Sequence, residues 1–206
     1  PLFAQNDDDT VMITERISQT NGLQRLICRH PKMEEAIINT VRDGLAREDW
    51  KGLIYIMGKG TLNNFQFLYV GKAESMGVKN TLSANIKGVD RGKNKHKFAR
   101  WGDGLAYHIG DLSQAVFGNK GYQKAPSKYI RWAQVLFKET TNLTIKEPLE
   151  DTTLHLNELI QFFVTPWYEG STSFSGLPST IAAVEYDLIA LGGQHSNELI
   201  LNTDGI

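Results

Sequence analysis

Between Gly52 and Ser75 the chain reads GLIYIMGKGTLNNFQFLYVGKAES, two apolar, aromatic-rich runs around a polar turn. The runs Leu53–Met57 and Phe65–Val70 are rich in β-branched and aromatic residues, and the turn between them holds Gly60 and the pair Asn63-Asn64. That pattern specifies a β-hairpin more firmly than any other stretch of this chain specifies its own structure. The hairpin carries Tyr55 on one run and Tyr69 on the other, and the second run closes on Gly71-Lys72. Two tyrosines, a glycine and a lysine gathered on one ribbon are either ordinary strand residues or the start of an active site.

The rest of the chain reads as helices and one more strand around this hairpin. PKMEEAIINTVRDGLARED, residues 31–49, repeats Met33, Ile37, Val41 and Leu45 every four positions, as an amphipathic helix does. Pro31 suits its first turn. A short helix is expected over Asn80–Val89 and a longer one over Ser127–Glu139, with Tyr129, Trp132, Val135 and Leu136 on one face. The run DGLAYHIGDLSQAVFG has no period that decides its type. Glu158–Trp167 reads as a third strand, and Pro178–Gly193 as a helix capped by Ser179 or Thr180 and ended by Gly192-Gly193. The expected fold is α+β: a small antiparallel sheet, hairpin plus third strand, flanked by helices. Residues 1–50 form a helical N-terminal arm, residues 51–206 the main domain, and about 90–150 a helical insertion.

Charge divides the chain sharply. Net charge over all 206 residues is −1, but residues 51–140 hold 15 basic and 5 acidic side chains while residues 141–206 hold 1 and 9. The stretch KGVDRGKNKHKFAR places Lys87, Arg91, Lys93, Lys95, Lys97 and Arg100 against Asp90 alone. A polyanion is attracted to such a patch by local charge and by counterion release, whatever the total; a solvated loop is the plainer alternative. Other classes find no footing. Apolar stretches stay under ten residues, too short for a membrane helix. The opening PLFAQNDDDT is acidic and lacks a signal-peptide pattern, and Cys28 is the only cysteine, so a reducing, cytoplasmic setting is expected. There is no phosphate-binding glycine loop, no nucleophile elbow, and no metal-spaced His/Cys set.

Glu185 stands out on the last helix. With Ile181 set at zero and about 100° per residue, Val184, Leu188 and Leu191 fall between about 280° and 340° and Ile189 near 80°. Glu185 falls near 40°, inside the apolar arc. An unpaired buried carboxylate is costly, so this one needs a metal, a cation, a proton, or a path to solvent.

Taken together, Gly52-Leu53-Ile54-Tyr55, then Tyr69-Val70-Gly71-Lys72-Ala73, then the helix VEYDLI with Glu185, then Asn197 twelve residues on, resemble the GIY-YIG nuclease family over roughly residues 50–90 and 158–202. The first motif is one residue longer than the family spelling. The family also carries an arginine on the helix after the second motif, where this chain has Asn85 in TLSANIKG. Arg100 in KFARW and His108 in AYHIGD are the nearest substitutes, from the insertion; Arg100 beside Trp101 also fits a structural cation–π pair.

What the resemblance implies is a metal-dependent endonuclease acting on double-stranded DNA, restriction-like, with the arm or insertion supplying specificity or a homodimer contact and no membrane involved. Glu185 would bind Mg²⁺, with Mn²⁺ as substitute. Tyr55 would take a proton from the attacking water; a free tyrosine titrates near ~10, and Lys72 would favour its phenolate. Tyr69 would bind phosphate or orient water, and Gly71 would let phosphate approach the backbone. Arg100 or the lysine-rich loop (Lys87, Arg91, Lys93, Lys95, Lys97) would stabilise the transition-state charge, His108 would assist, and Asn197 would brace the site. The competing expectation is a nucleic-acid-binding module of the same fold with weak or no catalysis.

Overall fold

The computed structural model describes residues 1–18, 22–61, 63–77, 79, 81–91, 107–118, 127–144, 147–196 and 201–202. The fold is α+β. Its described elements are β1 (Ile13–Ser18), β2 (Gly22–Ile27), α1 (Pro31–Leu45), β3 (Trp50–Thr61), β4 (Asn64–Glu74), α2 (Tyr107–Phe117), α3 (Ser127–Leu136), β5 (Ile160–Tyr168) and α4 (Ile181–Ser196). The chain divides into two compact units, residues 1–31 with 100–160, and residues 32–99 with 161–206.

The second unit is built on the expected hairpin. β3 and β4 pair antiparallel with Tyr55 opposite Gly71, Ile54 opposite Lys72 and Met57 opposite Tyr69, and a bulge follows at Met57/Gly58. β5 joins β3 on its other side, giving the order β4-β3-β5 and leaving β4 at the edge. Both strands run longer than the apolar runs alone suggest. Gly52, two residues into β3, has φ +140, and a Cβ there would collide with the Ala73 carbonyl oxygen, so this close crossing of the two strands requires glycine.

Side chains alternate along each strand, and α4 covers one side of the ribbon. Ile181, Val184 and Ile189 pack with Ile54 and Val70, flanked by Ile56, Phe67, Trp167 and Leu188. Thr180 caps α4 by accepting from the Ala183 N–H at 3.2 Å. The helix does not end at Gly192-Gly193. It runs through both, buried, to Ser196, because neither takes the left-handed conformation of a C-cap. α1 buries Met33, Ile37, Val41 and Gly44, and Trp50 lies against Gly44 while Leu45 stays exposed.

Two expected elements are corrected. No α-helix forms over the described part of residues 80–89. Ser83 anchors turns there, accepting from the N–H groups of Ile86 and Lys87, and Gly88 at φ +83 breaks the helical path. The arm is not purely helical either: β1 and β2 form a hairpin before α1, paired from Ile13 opposite Ile27 to Ser18 opposite Gly22. In that first unit the Ile27 N–H donates to Ser113 Oγ on α2, and Phe3 packs against Phe137 at 5.6 Å between ring centroids. Tyr129, Trp132, Ala133 and Leu136 form the buried face of α3. No described helix is long and apolar enough to cross a membrane.

Candidate active site

Tyr55 sits in the central strand of the three-stranded sheet and is 2% exposed. Its ring lies over Gly71 across the ladder, filling the space a Cβ at that position would need. Any other residue at 71 would displace the ring or open the ladder, which gives the glycine of Tyr69-Val70-Gly71 a physical reason. Tyr69 shares this side of the ribbon, its ring centroid 6.1 Å from that of Tyr55. Phe162 of β5 stacks on Tyr55 at 5.9 Å and 24° between planes. The structure therefore brings Tyr55, Tyr69 and Gly71 together and adds Phe162, which read in the sequence only as a strand residue.

Lys72 and Glu185 belong to the other side. Lys72 pairs with Ile54, on the side that carries Val70 and faces α4, and its ammonium engages the Glu74 carboxylate. The expected use of Lys72, to favour the Tyr55 phenolate, thus meets an obstacle: strand alternation directs it away from Tyr55 and toward Glu74. Glu185 is half-buried on α4, one residue past Val184, which is in the cluster on Ile54 and Val70. β5 is one of the two edges of this sheet, β4 the other.

The edge itself is closed by a contact the sequence did not disclose. Asn202 is 6% exposed, and its side-chain amide grips one residue of β4 twice. Asn202 Oδ1 accepts from the Val70 N–H at 2.9 Å, and its Nδ2 donates to the Val70 carbonyl at 2.8 Å. The Leu201 N–H adds a bond to the Leu68 carbonyl. An edge strand with open N–H and C=O groups is a liability, and here two residues satisfy it beside the tyrosine. Asn197, the brace expected from the sequence, lies outside the described residues.

The remaining expected residues are less informative. Lys87 and Arg91 are exposed, and Arg91 Nε is 3.7 Å from Asp90. Lys93, Lys95, Lys97 and Arg100 lie outside the described residues, as does the side chain of His108, whose backbone belongs to α2. Asn85 stands in a turn, its N–H 3.3 Å from Ser83 Oγ. Among the described residues no group of three or more His, Cys, Asp or Glu gathers to hold a metal. A single half-buried carboxylate such as Glu185 still fits Mg²⁺, which commonly takes one or two carboxylates and completes its shell with water and phosphate.

Compared with protein-family models, curated proteins and solved structures, the chain matches none of them.

Proposed function

We propose that this chain is a metal-dependent endonuclease of the GIY-YIG type, hydrolysing phosphodiester bonds of DNA. The observation that carries this reading is the Tyr55 ring seated on Gly71 with Tyr69 beside it, a packed arrangement that ties the two motifs of the hairpin together. The half-buried Glu185 sits on the helix that packs against the same hairpin, on the side away from Tyr55.

In this reading the scissile phosphate lies beside Tyr69. Tyr69 orients the phosphate or the attacking water, and Tyr55 receives the proton that water loses. Gly71 makes room for the Tyr55 ring. Glu185 would hold a divalent cation, which would supply Lewis acidity to the reaction. Arg100 supplies the positive charge that Asn85 cannot.

A second reading has its own observation. The ladder register puts Lys72 and Tyr55 on opposite sides of the ribbon, and Asn85 replaces an expected cation. Both favour a nucleic-acid-binding module with weak or no catalysis. A plasmid-nicking assay with Mg²⁺ or Mn²⁺ separates the two. Nicking by wild type that is lost in Glu185→Ala and in Tyr55→Phe supports the nuclease; DNA binding with no nicking in either metal supports the binding module.

A further inference from the structure

Tyr55 stands on the central strand, so its ring has two neighbouring strands to lie over, β4 or β5. It lies over β4. Cζ and Oη are the atoms nearest to where a Cβ of Gly71 would stand, so the hydroxyl end of the side chain is the part that covers β4. Two residues account for this choice. Gly71, directly opposite Tyr55 in the ladder, has no side chain to displace. From β5, the Phe162 ring stacks on the Tyr55 ring at 5.9 Å between centroids and 24° between planes. In a close-packed interior, a ring blocked on one side can swing only toward the other.

The next residue marks the contrast. Strand alternation directs Phe163 to the opposite side of the sheet, where it meets Phe65 at 5.3 Å and 78° and is 41% exposed. Of these two consecutive phenylalanines, Phe162 is the one packed on Tyr55, and Tyr55 is 2% exposed. Buried to that extent, the Tyr55 ring takes its position from the side chains packed on it.

We propose that Phe162 is a positioning residue for cleavage, an inference that rests on the nuclease reading above. Phe162 touches no reacting atom. It acts through Tyr55: its ring denies Tyr55 the conformer over β5 and holds the phenolic oxygen over Gly71, with the Tyr69 ring centroid 6.1 Å from that of Tyr55. A reacting group misplaced by about 1 Å can cost on the order of 10²-fold in rate, so loss of the stack falls on kcat.

The test pairs the kinetics of plasmid nicking in Mg²⁺ with the ¹⁹F NMR spectrum of protein carrying 3-fluorotyrosine, in which the Tyr55 resonance is assigned by its loss in Tyr55→Phe. Phe162→Leu removes the flat face and keeps an apolar side chain. It is expected to lower kcat on the order of 10²-fold with KM unchanged, and to shift the Tyr55 resonance. Phe162→Tyr, which keeps the ring, should leave both near wild type, and so should Phe163→Leu on the other side of the sheet. Phe162→Met, whose flexible side chain fills irregular gaps, takes the place of Phe162→Leu if that variant fails to fold. A variant without the ring that nicks as wild type does overturns the positioning role and leaves the nuclease standing. So does one that loses rate with the Tyr55 resonance unmoved, or one that raises KM at unchanged kcat. A wild type that nicks no DNA in Mg²⁺ or Mn²⁺ overturns both.

Discussion

At the scale of single residues, Asn202 does with one amide what a neighbouring strand would do with its backbone. Asn202→Ala leaves the N–H and C=O of Val70 without these partners at a buried position. The expected cost is about 1–3 kcal/mol for each group that finds no water, read as a lower denaturant midpoint. Asn202→Asp keeps the acceptor and loses the donor, so it should recover only part of that loss. Tyr55→Phe preserves the contacts with Gly71, Tyr69 and Phe162. It should shift stability by no more than about 1–2 kcal/mol and, if the chain is the nuclease proposed above, abolish cleavage. Arg100→Ala should lower the cleavage rate on the order of 10²–10³-fold with a much smaller loss of affinity, and Arg100→Lys should restore only part of it. Tyr55, Tyr69 and Gly71 were legible because they stand on one short ribbon, where spacing alone decides which meet. Asn202 was not, because its partner is 132 positions away and an asparagine in a polar tail looks like any turn former.

Among elements, the segment after α3 illustrates what polar contacts do where apolar periodicity ends. Glu139 accepts from the His155 backbone N–H at 2.8 Å and meets His155 Nδ1 at 2.7 Å, while Lys138 N–H donates to the His155 carbonyl. Burial alone would push the Glu139 carboxyl up, but the hydrogen bonds from His155 outweigh it and hold it below the ordinary glutamate value of 4.5. A carboxylate depressed on folding stabilises above that ordinary value and loses the contribution as pH falls through its folded value. Thermal midpoints of wild type should therefore drop below pH 4.5, and Glu139→Gln, which cannot titrate, should show a shallower fall. Helices with a clear apolar stripe, α1, α3 and α4, were legible as elements. The turns over residues 80–89 were misread as a helix because apolar spacing does not reveal that Gly88 takes a positive φ. The β1–β2 hairpin was hidden for another reason: β1 is largely exposed and has no apolar alternation deep enough to announce a strand.

For the molecule as a whole, charge is the property that spans both units. Residues 51–140 carry the excess of basic side chains, and residues 141–206 the excess of acidic ones. If the lysine-rich stretch holds DNA, neutralising Lys93, Lys95 and Lys97 together should weaken binding. It should also flatten the slope of log affinity against log salt by roughly 3 units, at about one per phosphate contact. An unchanged slope assigns those lysines to a solvated loop. The closure of β4 by Leu201 and Asn202 also sets an order of events while the chain is being made. The tyrosine ribbon can pair as soon as Glu74 has left the ribosome, but its outer edge has no clamp until Asn202 follows, 132 residues after Val70. At ~5–20 residues per second this interval lasts about 7–26 s. Throughout it the nascent chain presents an open strand to its neighbours. A truncated product ending anywhere between them keeps Tyr55 and Tyr69 but not the amide that clamps Val70 at the edge.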